Sequence, residues 1–377
     1  MSRQKKVVHL TTVHHPLDPR IYYKECLSLH DAGFEVTFIV PEHEDIDPNS
    51  SITILPLKKR KNRFKRMFLS TMEAYKKARD LKADYYHIHD PELLPVAWLL
   101  KKKGNVVIYD IHEDYETAML QKEYLIKPLR YVAAKMYRLI EKFFSRKLEL
   151  CLAEKYYKEK YPRGTCILNY PVLNEKLMKH EITEEPAENK LIYTGNVTME
   201  RGAMEHAKLP YIDNSLSVYF FGKCPSLFAA KMYETAGERR NQLIIEGIDR
   251  FVPKGIIEEN YVSHRWLAGV ALFPPSEHYM KKELTKFFEY MSAGIPIICS
   301  DFPKWKEFVE EYACGIAVDP HNDAEIKGAL DYLRENGNAA KKMGKNGKEA
   351  ILHKLNWKIE EKKLVEWYDE MWQNKSS

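Results

Sequence analysis

No apolar run in this 377-residue chain approaches the roughly 18 residues that a membrane-crossing helix needs. No Cys-x-x-Cys pair is present either. The six cysteines, Cys26, Cys151, Cys166, Cys224, Cys299 and Cys314, are scattered, mostly in apolar strand-like runs. They read as buried free thiols in a reducing compartment. A Gly-x-Ser-x-Gly elbow is missing, which leaves little support for a serine nucleophile. No Gly-x-Gly-x-x-Gly follows any candidate strand, and no Gly-x-x-x-x-Gly-Lys-Ser/Thr loop exists, so NAD chemistry is weakly supported and a phosphate-loop ATPase is excluded. There is no repeat at a solenoid period and no low-complexity segment. The basic start, Arg3, Lys5 and Lys6, leads into Val7–Val13. That run is too short and too β-branched for a signal peptide, and the expectation is a first strand in a cytoplasmic protein.

Hydrophobic residues at 45% and charged residues at 30% describe a folded chain rather than a disordered one. Its length exceeds what one hydrophobic core usually serves. Strand-like and helix-like segments alternate throughout, which argues for parallel α/β sheets. In the first half the strands are expected at 7–13, 36–40, 52–55, 85–89, 106–111, 148–152 and 166–168. The weakly patterned stretch 172–190 is expected to be a linker. A second series follows at 191–194, 217–221, 243–246, 270–273, 295–299 and 315–318. A last helix, 358–372, carries Leu364, Trp367, Tyr368 and Met371 on one face. Two α/β domains of similar size imply a cleft, and ligands bind outside the carboxyl ends of such strands. Polar residues gather at those ends: His14 to Arg20, His87 to Glu92, His112 to Asp114, and Thr194 to Gly202.

The net charge of +5 is unevenly placed. Seven of the nine residues 58–66 are basic. A second basic stretch, 122–147, sets Lys122, Lys127, Arg130, Lys135, Arg138, Lys142, Arg146 and Lys147 against Glu123 and Glu141. Its apolar positions, Leu129, Val132, Ala133, Met136, Leu139, Ile140 and Phe143, recur at helical spacing. One reading is docking to an anionic membrane face; the other is a solvated helix face with a mobile loop. Nucleic acid is not expected as a partner, because no stacking aromatics or binding motif accompany the charge.

Lys286 and Glu289 are three apart at the start of a short amphipathic segment that ends at Ala293-Gly294. Residues at i and i+3 share a helix face. A lysine at a helix start suits a phosphate, and a carboxylate one turn on suits sugar hydroxyls. The same spacing also describes an ordinary exposed ion pair. Gly195 and Gly202 bracket a strand-to-helix turn containing Arg201, where glycines let backbone amides approach a phosphate and the arginine can bind it bidentately. A plain turn with an exposed arginine is the alternative. Together, the two cations and two helix starts make a diphosphate the natural occupant. His87, His89 and Asp90 with His112, Glu113 and Asp114 also resemble the outline of a zinc or manganese site, although a strand-end turn explains them equally.

These segments together resemble the large retaining glycosyltransferase family numbered four, with the two-domain GT-B fold of two Rossmann-like units facing a central cleft. The carriers are Asp18-Pro19-Arg20, Gly33 to Ile39, His87 to Asp90, Tyr109 to Glu113, Asn169-Tyr170-Pro171, Gly195 to Gly202, Lys286 to Pro296 and Ser300 to Trp305. The resemblance covers nearly the whole chain and implies domains at 1–172 and 173–356, with 357–377 crossing back to the first. It implies that Arg201 and Lys286 hold the donor diphosphate and stabilise the leaving group. His112 would touch the donor sugar, and Glu289 the ribose. Gly195, Asn196, Glu283, Leu284 and Thr285 would complete the donor site, with Gly247 and Ile248 near the base. Asp18, Arg20, Asp90 and Glu113 would shape the acceptor side. No metal or other cofactor is expected.

Three positions depart from the family pattern. Lys281 stands where a second carboxylate is usual, eight residues before Glu289, and Glu283 is out of register to replace it. Asn196 occupies the place of a cation, and His14, His15 and Pro16 replace a glycine pair. The expected activity is sugar transfer from a nucleoside-diphosphate sugar to a saccharide or lipid-linked saccharide in bacterial cell-surface polysaccharide synthesis. A nucleotide-sugar epimerase of the same fold, a sugar phosphorylase, and a non-catalytic donor-binding relative are the alternatives.

Overall fold

The computed structural model describes residues 3–60, 62, 65–120 and 126–376. The chain divides into two compact units, residues 1–169 with 357–377, and residues 170–356.

The first unit is built on seven parallel strands: β1 (Lys6–Leu10), β2 (Glu35–Pro41), β3 (Thr53–Leu57), β4 (Tyr85–Ile88), β5 (Val106–Ile111), β6 (Glu149–Leu152) and β7 (Thr165–Cys166). Their order in the sheet is β3-β2-β1-β4-β5-β6-β7. Val7 pairs with Val36 on one side and Tyr85 on the other. The strand order reverses at β1 and β4, and a crevice opens beyond the carboxyl ends of such a strand pair. The central strands are buried throughout because helices cover both faces, which explains their continuous apolar runs. On one face, Val8, Leu10, Ile88 and Val107 pack beneath the helices Thr71–Leu81 and Leu94–Leu100. The other face lies under the helix Leu27–Asp31 and the last helix, Trp357–Ser376. A wide π-type turn, Ile21–Cys26, leads into the former. Leu364, Trp367, Tyr368 and Met371 are all buried here, so the apolar face of the last helix is the one that packs. The Tyr85 hydroxyl donates to the Tyr368 carbonyl at 2.8 Å, and Trp357 Nε1 donates to Ser28 Oγ at 2.9 Å.

The second unit repeats the plan with six parallel strands: β8 (Glu188–Thr194), β9 (Ser217–Cys224), β10 (Leu243–Ile248), β11 (Trp266–Ala271), β12 (Ile297–Ser300) and β13 (Gly315–Val318). Their order is β10-β9-β8-β11-β12-β13, with the reversal at β8 and β11. The stretch read as a linker belongs to this unit. It forms the helix Glu175–Lys179, whose Leu177 is buried, and Ile182 packs where a side chain at Gly294 would stand. Among the described residues, no helix is long and apolar enough to cross a membrane. All six cysteines are free, and Cys166 alone is partly exposed.

The basic stretch 58–66 is described only in part, since Lys61, Arg63 and Phe64 lie outside the described residues. Arg60 pairs with Glu73 at 2.8 Å, and Arg66 Nε lies 3.6 Å from Glu92. In the second stretch, Lys122 and Glu123 also fall outside. The rest forms the 19-residue helix Lys127–Ser145.

Candidate functional site

In the second unit the site is assembled at the carboxyl ends of β8 to β11. Gly195 leaves β8 with φ +97°, a conformation that a side chain resists. Next to it in β9 is Gly222, whose added Cβ would lie 2.0 Å from the Gly195 carbonyl oxygen. Gly247 in β10, at φ +89°, would clash in turn with the Gly222 carbonyl at 2.5 Å. Three neighbouring strands thus end in a row of bare backbone. Gly202, at φ +76°, closes the short turn Met199–Arg201 and sits so near Leu272 that a Cβ would overlap its carbonyl oxygen. The turn holds Arg201 half-buried, with Nε donating to the Tyr279 hydroxyl at 3.0 Å. Asn196 is exposed, and its carbonyl accepts from the Tyr193 hydroxyl at 2.8 Å. Ile248 is exposed beside Gly247.

Lys286 is the second residue of the helix Thr285–Ala293, which Gly294 ends at φ +73°. Leu284 precedes the helix in extended backbone, and no side chain caps the helix start. Glu283 is half-buried just outside it, and Lys281 is exposed. The Lys286 ammonium is not an exposed surface charge. The residue is 6% exposed, and Nζ has no hydrogen-bond partner. It stands 3.5 Å from the centre of the Tyr193 ring and 4.9 Å from that of Phe273. Ring faces attract a desolvated cation, but they accept no full hydrogen bond from it. Burial, then the charge of Arg201, pushes its pKa well below the lysine range; Glu289 pulls the other way. The charges of Lys286 and Arg201 therefore repel each other.

Glu289 does not close an ion pair with Lys286. Its Oε2 accepts from the Tyr261 hydroxyl at 2.7 Å and lies 3.5 Å from Thr194 Oγ1. Burial raises its pKa, with Tyr261, Lys254 and Lys286 opposing. Tyr193, Tyr261 and His206 were not expected from the sequence. His206 is fully buried, accepts from the Leu272 backbone at 2.9 Å through Nε2, and is held neutral by burial and the Lys286 charge, its pKa lowered to about 3. A cavity of about 530 Å³ also exists in this unit, at the opposite ends of β8 and β11 and lined by Ile182, Trp266 and Pro296. Its lining shares only Tyr261 and the far end of the Lys286 helix, Ala293 and Gly294, with the residues above, and includes none of Arg201, Lys286 or Glu289.

In the first unit a second polar cluster occupies the reversal at β1 and β4. Asp90 is buried and accepts from the Thr12 backbone at 2.6 Å and from Thr11 Oγ1 at 2.8 Å. Its other oxygen lies 3.4 Å from His14 Nε2. Asp18 caps the turn after β1, taking the backbone N–H groups of Arg20 and Ile21, both at 2.9 Å. Burial would raise its pKa, but His14 and these amides outweigh that and bring it to about 2. His112 donates through Nδ1 to Asp110 at 3.1 Å, and its Nε2 lies 3.1 Å from His14 Nε2. His14 Nδ1 faces Asp18 at 3.2 Å. Burial opposes a charge there, but Asp18, Asp90 and Glu113 raise its pKa. Glu113 itself is exposed.

Arg20 has a different surrounding from that of an acceptor-facing residue. It is 5% exposed and grips Asp110 with Nε at 3.0 Å and Nη2 at 2.7 Å, while Nη1 donates to the Ile167 carbonyl at 3.1 Å. The metal outline is also redrawn. His87 and His89 turn inward and stack with His9 around Glu25, and all four are fully buried. Among the described residues, the sets near enough to share an ion include His9, Glu25, His87 and His89, and His89, Asp110 and His112; Asp90, Glu113 and Asp114 are in none. His89 already spends Nδ1 on Asp110 at 3.2 Å and Nε2 on His9 at 3.0 Å. A dication there would also stand beside the Arg20 guanidinium, 3.1 Å from Glu25. His9, His89, Asp110 and Arg20 form a buried hydrogen-bonded chain, whereas neither Glu25 carboxyl oxygen, nor Nε2 of His9 or His87, has a hydrogen-bond partner among the described residues.

Two doubly wound units of parallel strands, each with polar groups at its strand reversal, make up the GT-B architecture. The chain matches the model described as Glycosyltransferase Family 4 over residues 19–154, and Glycosyl transferases group 1 over 285–350. It belongs to the family-4 glycosyltransferases with the GT-B fold. Among solved structures, sucrose-phosphate synthase from Thermosynechococcus elongatus has 15% identity and a TM-score of 0.73, covering 99% of this chain and 100% of its own. A glycosyltransferase from Rickettsia africae ESF-5 has 12% identity, the same TM-score and the same coverage. Anabaena HepE in complex with UDP has 8% identity and a TM-score of 0.72, over 98% and 100% of the two chains. No curated protein sequence matches the chain.

Proposed function

We propose that this glycosyltransferase takes a hexose from a nucleoside-diphosphate sugar, without a metal, and passes it with retained anomeric configuration to a saccharide or lipid-linked saccharide of a cell-surface polysaccharide, working in the cytoplasm at the inner membrane face. The observation that carries it is the Lys286 ammonium, buried at a helix start with no hydrogen-bond partner, near Arg201 and the glycine-lined strand ends. A diphosphate supplies the missing acceptors and neutralises both cations. Glu289, one turn further and already oriented by Tyr261, takes the ribose hydroxyls. As the bond to the sugar breaks, negative charge grows on the departing diphosphate, and fixed cations stabilise that transition state. The acceptor hydroxyl enters on the face that the diphosphate leaves, and no covalent glycosyl carboxylate is needed. UDP bound in Anabaena HepE supports this class of donor.

Calorimetric titration with UDP, GDP and ADP in metal-free buffer tests the site. One nucleotide is expected to bind saturably, with binding lost in Glu289→Ala; no binding by any of the three overturns the reading. Product analysis with the matching sugar nucleotide and an acceptor separates the rivals. Released nucleoside diphosphate with a lengthened acceptor marks a transferase. A rearranged sugar without acceptor marks an epimerase, and a sugar phosphate marks a phosphorylase. Binding without turnover marks a relative in which Lys281 has replaced a needed carboxylate.

A further inference from the structure

The helix Lys127–Ser145 is built inside out. Its inward face is centred on a carboxylate, with Phe144 the large apolar side chain that packs on the core: Glu141, 2% exposed, accepts from the hydroxyls of Tyr109 at 3.0 Å, Tyr137 at 2.7 Å, and Tyr161. Ala134 and Ser145 are the other buried members of that face. The apolar stripe faces outward instead. Leu129, Val132, Met136, Leu139, Ile140 and Phe143 are between 47% and 61% exposed. They recur every three to four residues, so they form one continuous ridge. A second exposed ridge beside it carries Lys135, Arg138, Lys142 and Arg146. The helix packs against Leu94–Leu100, which packs against Thr71–Leu81 in turn. Both neighbours also expose large apolar groups, Trp98 and Leu99 on one and Met72 on the other. A water-soluble surface rarely leaves an apolar ridge as long as that of Lys127–Ser145 uncovered.

We propose that this face is a membrane-insertion surface. The apolar ridge enters the headgroup–acyl boundary of an anionic bilayer, and the basic ridge holds the phosphates. The proposal deepens the reading of a transferase at the membrane, because it makes insertion rather than surface charge the main attachment. Charge selects the occupant. Glu141 is the sole acidic residue between positions 126 and 147 and points inward, so the exposed surface of this helix carries positive charge alone. A two-fold pairing with a second copy would set this patch against itself and bring like charges together. Anionic lipid complements both ridges. The surface also adjoins the acceptor-side cluster: Arg138 lies 3.6 Å from Glu116, three residues beyond Glu113. A lipid-linked acceptor held in the bilayer would reach the first unit there.

The test is co-sedimentation of the full chain with phosphatidylglycerol-containing vesicles and with pure phosphatidylcholine vesicles, at low salt and at high salt. Binding to the anionic vesicles is expected to weaken at high salt but to persist. Leu139→Ser with Phe143→Ser should cut partitioning at least about tenfold. Both side chains are exposed, so the unfolding temperature and the nucleotide titration should match the parent. Binding that vanishes at high salt and ignores the double variant means surface charge alone and overturns insertion. No vesicle binding, with a dimer that the double variant dissociates, means that a second copy covers the face and also overturns it. Because the nucleotide titration is run on the same variant, loss of the donor-site reading would be seen separately.

Discussion

Lys286 holds its ammonium buried between ring faces, with no protein hydrogen-bond acceptor among the described residues and beside the Arg201 charge, so the charge costs stability that a neutral group there would not. Lys286→Met should therefore stabilise the protein by about 1–2 kcal/mol while the transfer rate falls at least about 100-fold through the lost charge contact. Scanning calorimetry and a rate assay on the same sample check this; a lower unfolding temperature with an unchanged rate would refute it. The lowered pKa has a further result. A bound diphosphate favours the charged form, so binding draws in a proton wherever the empty site is partly neutral. The titration enthalpy should then shift with the ionisation enthalpy of the buffer, and equal values in phosphate and Tris would count against a shifted lysine. Arg20 behaves oppositely. Its charge is fully engaged, and Arg20→Met leaves Asp110 and Glu25 buried without the cation they share. The expected loss is about 3–5 kcal/mol of stability, read by urea unfolding, and a variant as stable as the parent would show that Asp110 finds another partner.

The elements were readable in the sequence wherever a local pattern defines them. The strand at Ile298 and Cys299, the αL stop at Gly294 and the buried face of the last helix all follow from residues near one another in the chain. What surrounds Lys286 does not. Tyr193, Tyr261, Phe273 and His206 come from four separate segments, and lateral strand order alone brings them together. The sequence shows Lys286 and Glu289 on one helix face, but not that the first lies between two rings and the second against Tyr261. Glu25, ringed by three histidines, was hidden for the same reason. The Lys127–Ser145 helix shows the converse: its period was plain, yet period cannot say which face turns inward. At the strand ends, Gly195 and Gly202 stand out by their turn, while Gly222 lies inside an ordinary apolar strand. Gly222→Ala would set a methyl group 2.0 Å from the Gly195 carbonyl. Nucleotide affinity in that variant should fall at least about tenfold as the first strand end is pushed aside; unchanged affinity would mean that the backbone row is not part of the site.

Across the whole molecule, protonation of buried imidazoles couples stability to pH. Burial, the largest cause, lowers the pKa of His9, His87 and His89, so the folded state keeps them neutral. Unfolded, each takes up a proton near pH 6.5. Below that the unfolded chain binds more protons, and stability falls as the pH drops, by up to about 1.4 kcal/mol per pH unit for each proton. His14 runs the other way. Its raised pKa adds stability below the ordinary value, and this is lost as the pH rises through the folded one. His206 adds a fourth lowered imidazole, while the raised carboxyls of Glu25 and Glu289 side with His14; the four imidazoles are expected to prevail, and thermal unfolding should come at lower temperature at pH 5 than at pH 7. An equal or higher temperature at pH 5 would mean that the cluster is not held neutral.

The chain leaves the first unit at Asn169, builds the whole second unit, and returns at Trp357. On a ribosome the second unit is contiguous and can fold as soon as it emerges. The first unit, although made earlier, waits with one face of its sheet bare. Tyr85, His87 and Ser28 gain their partners only when Trp357 and Tyr368 arrive. The half that is synthesised first is thus completed last, and for most of synthesis its exposed aromatic face is what a chaperone would meet.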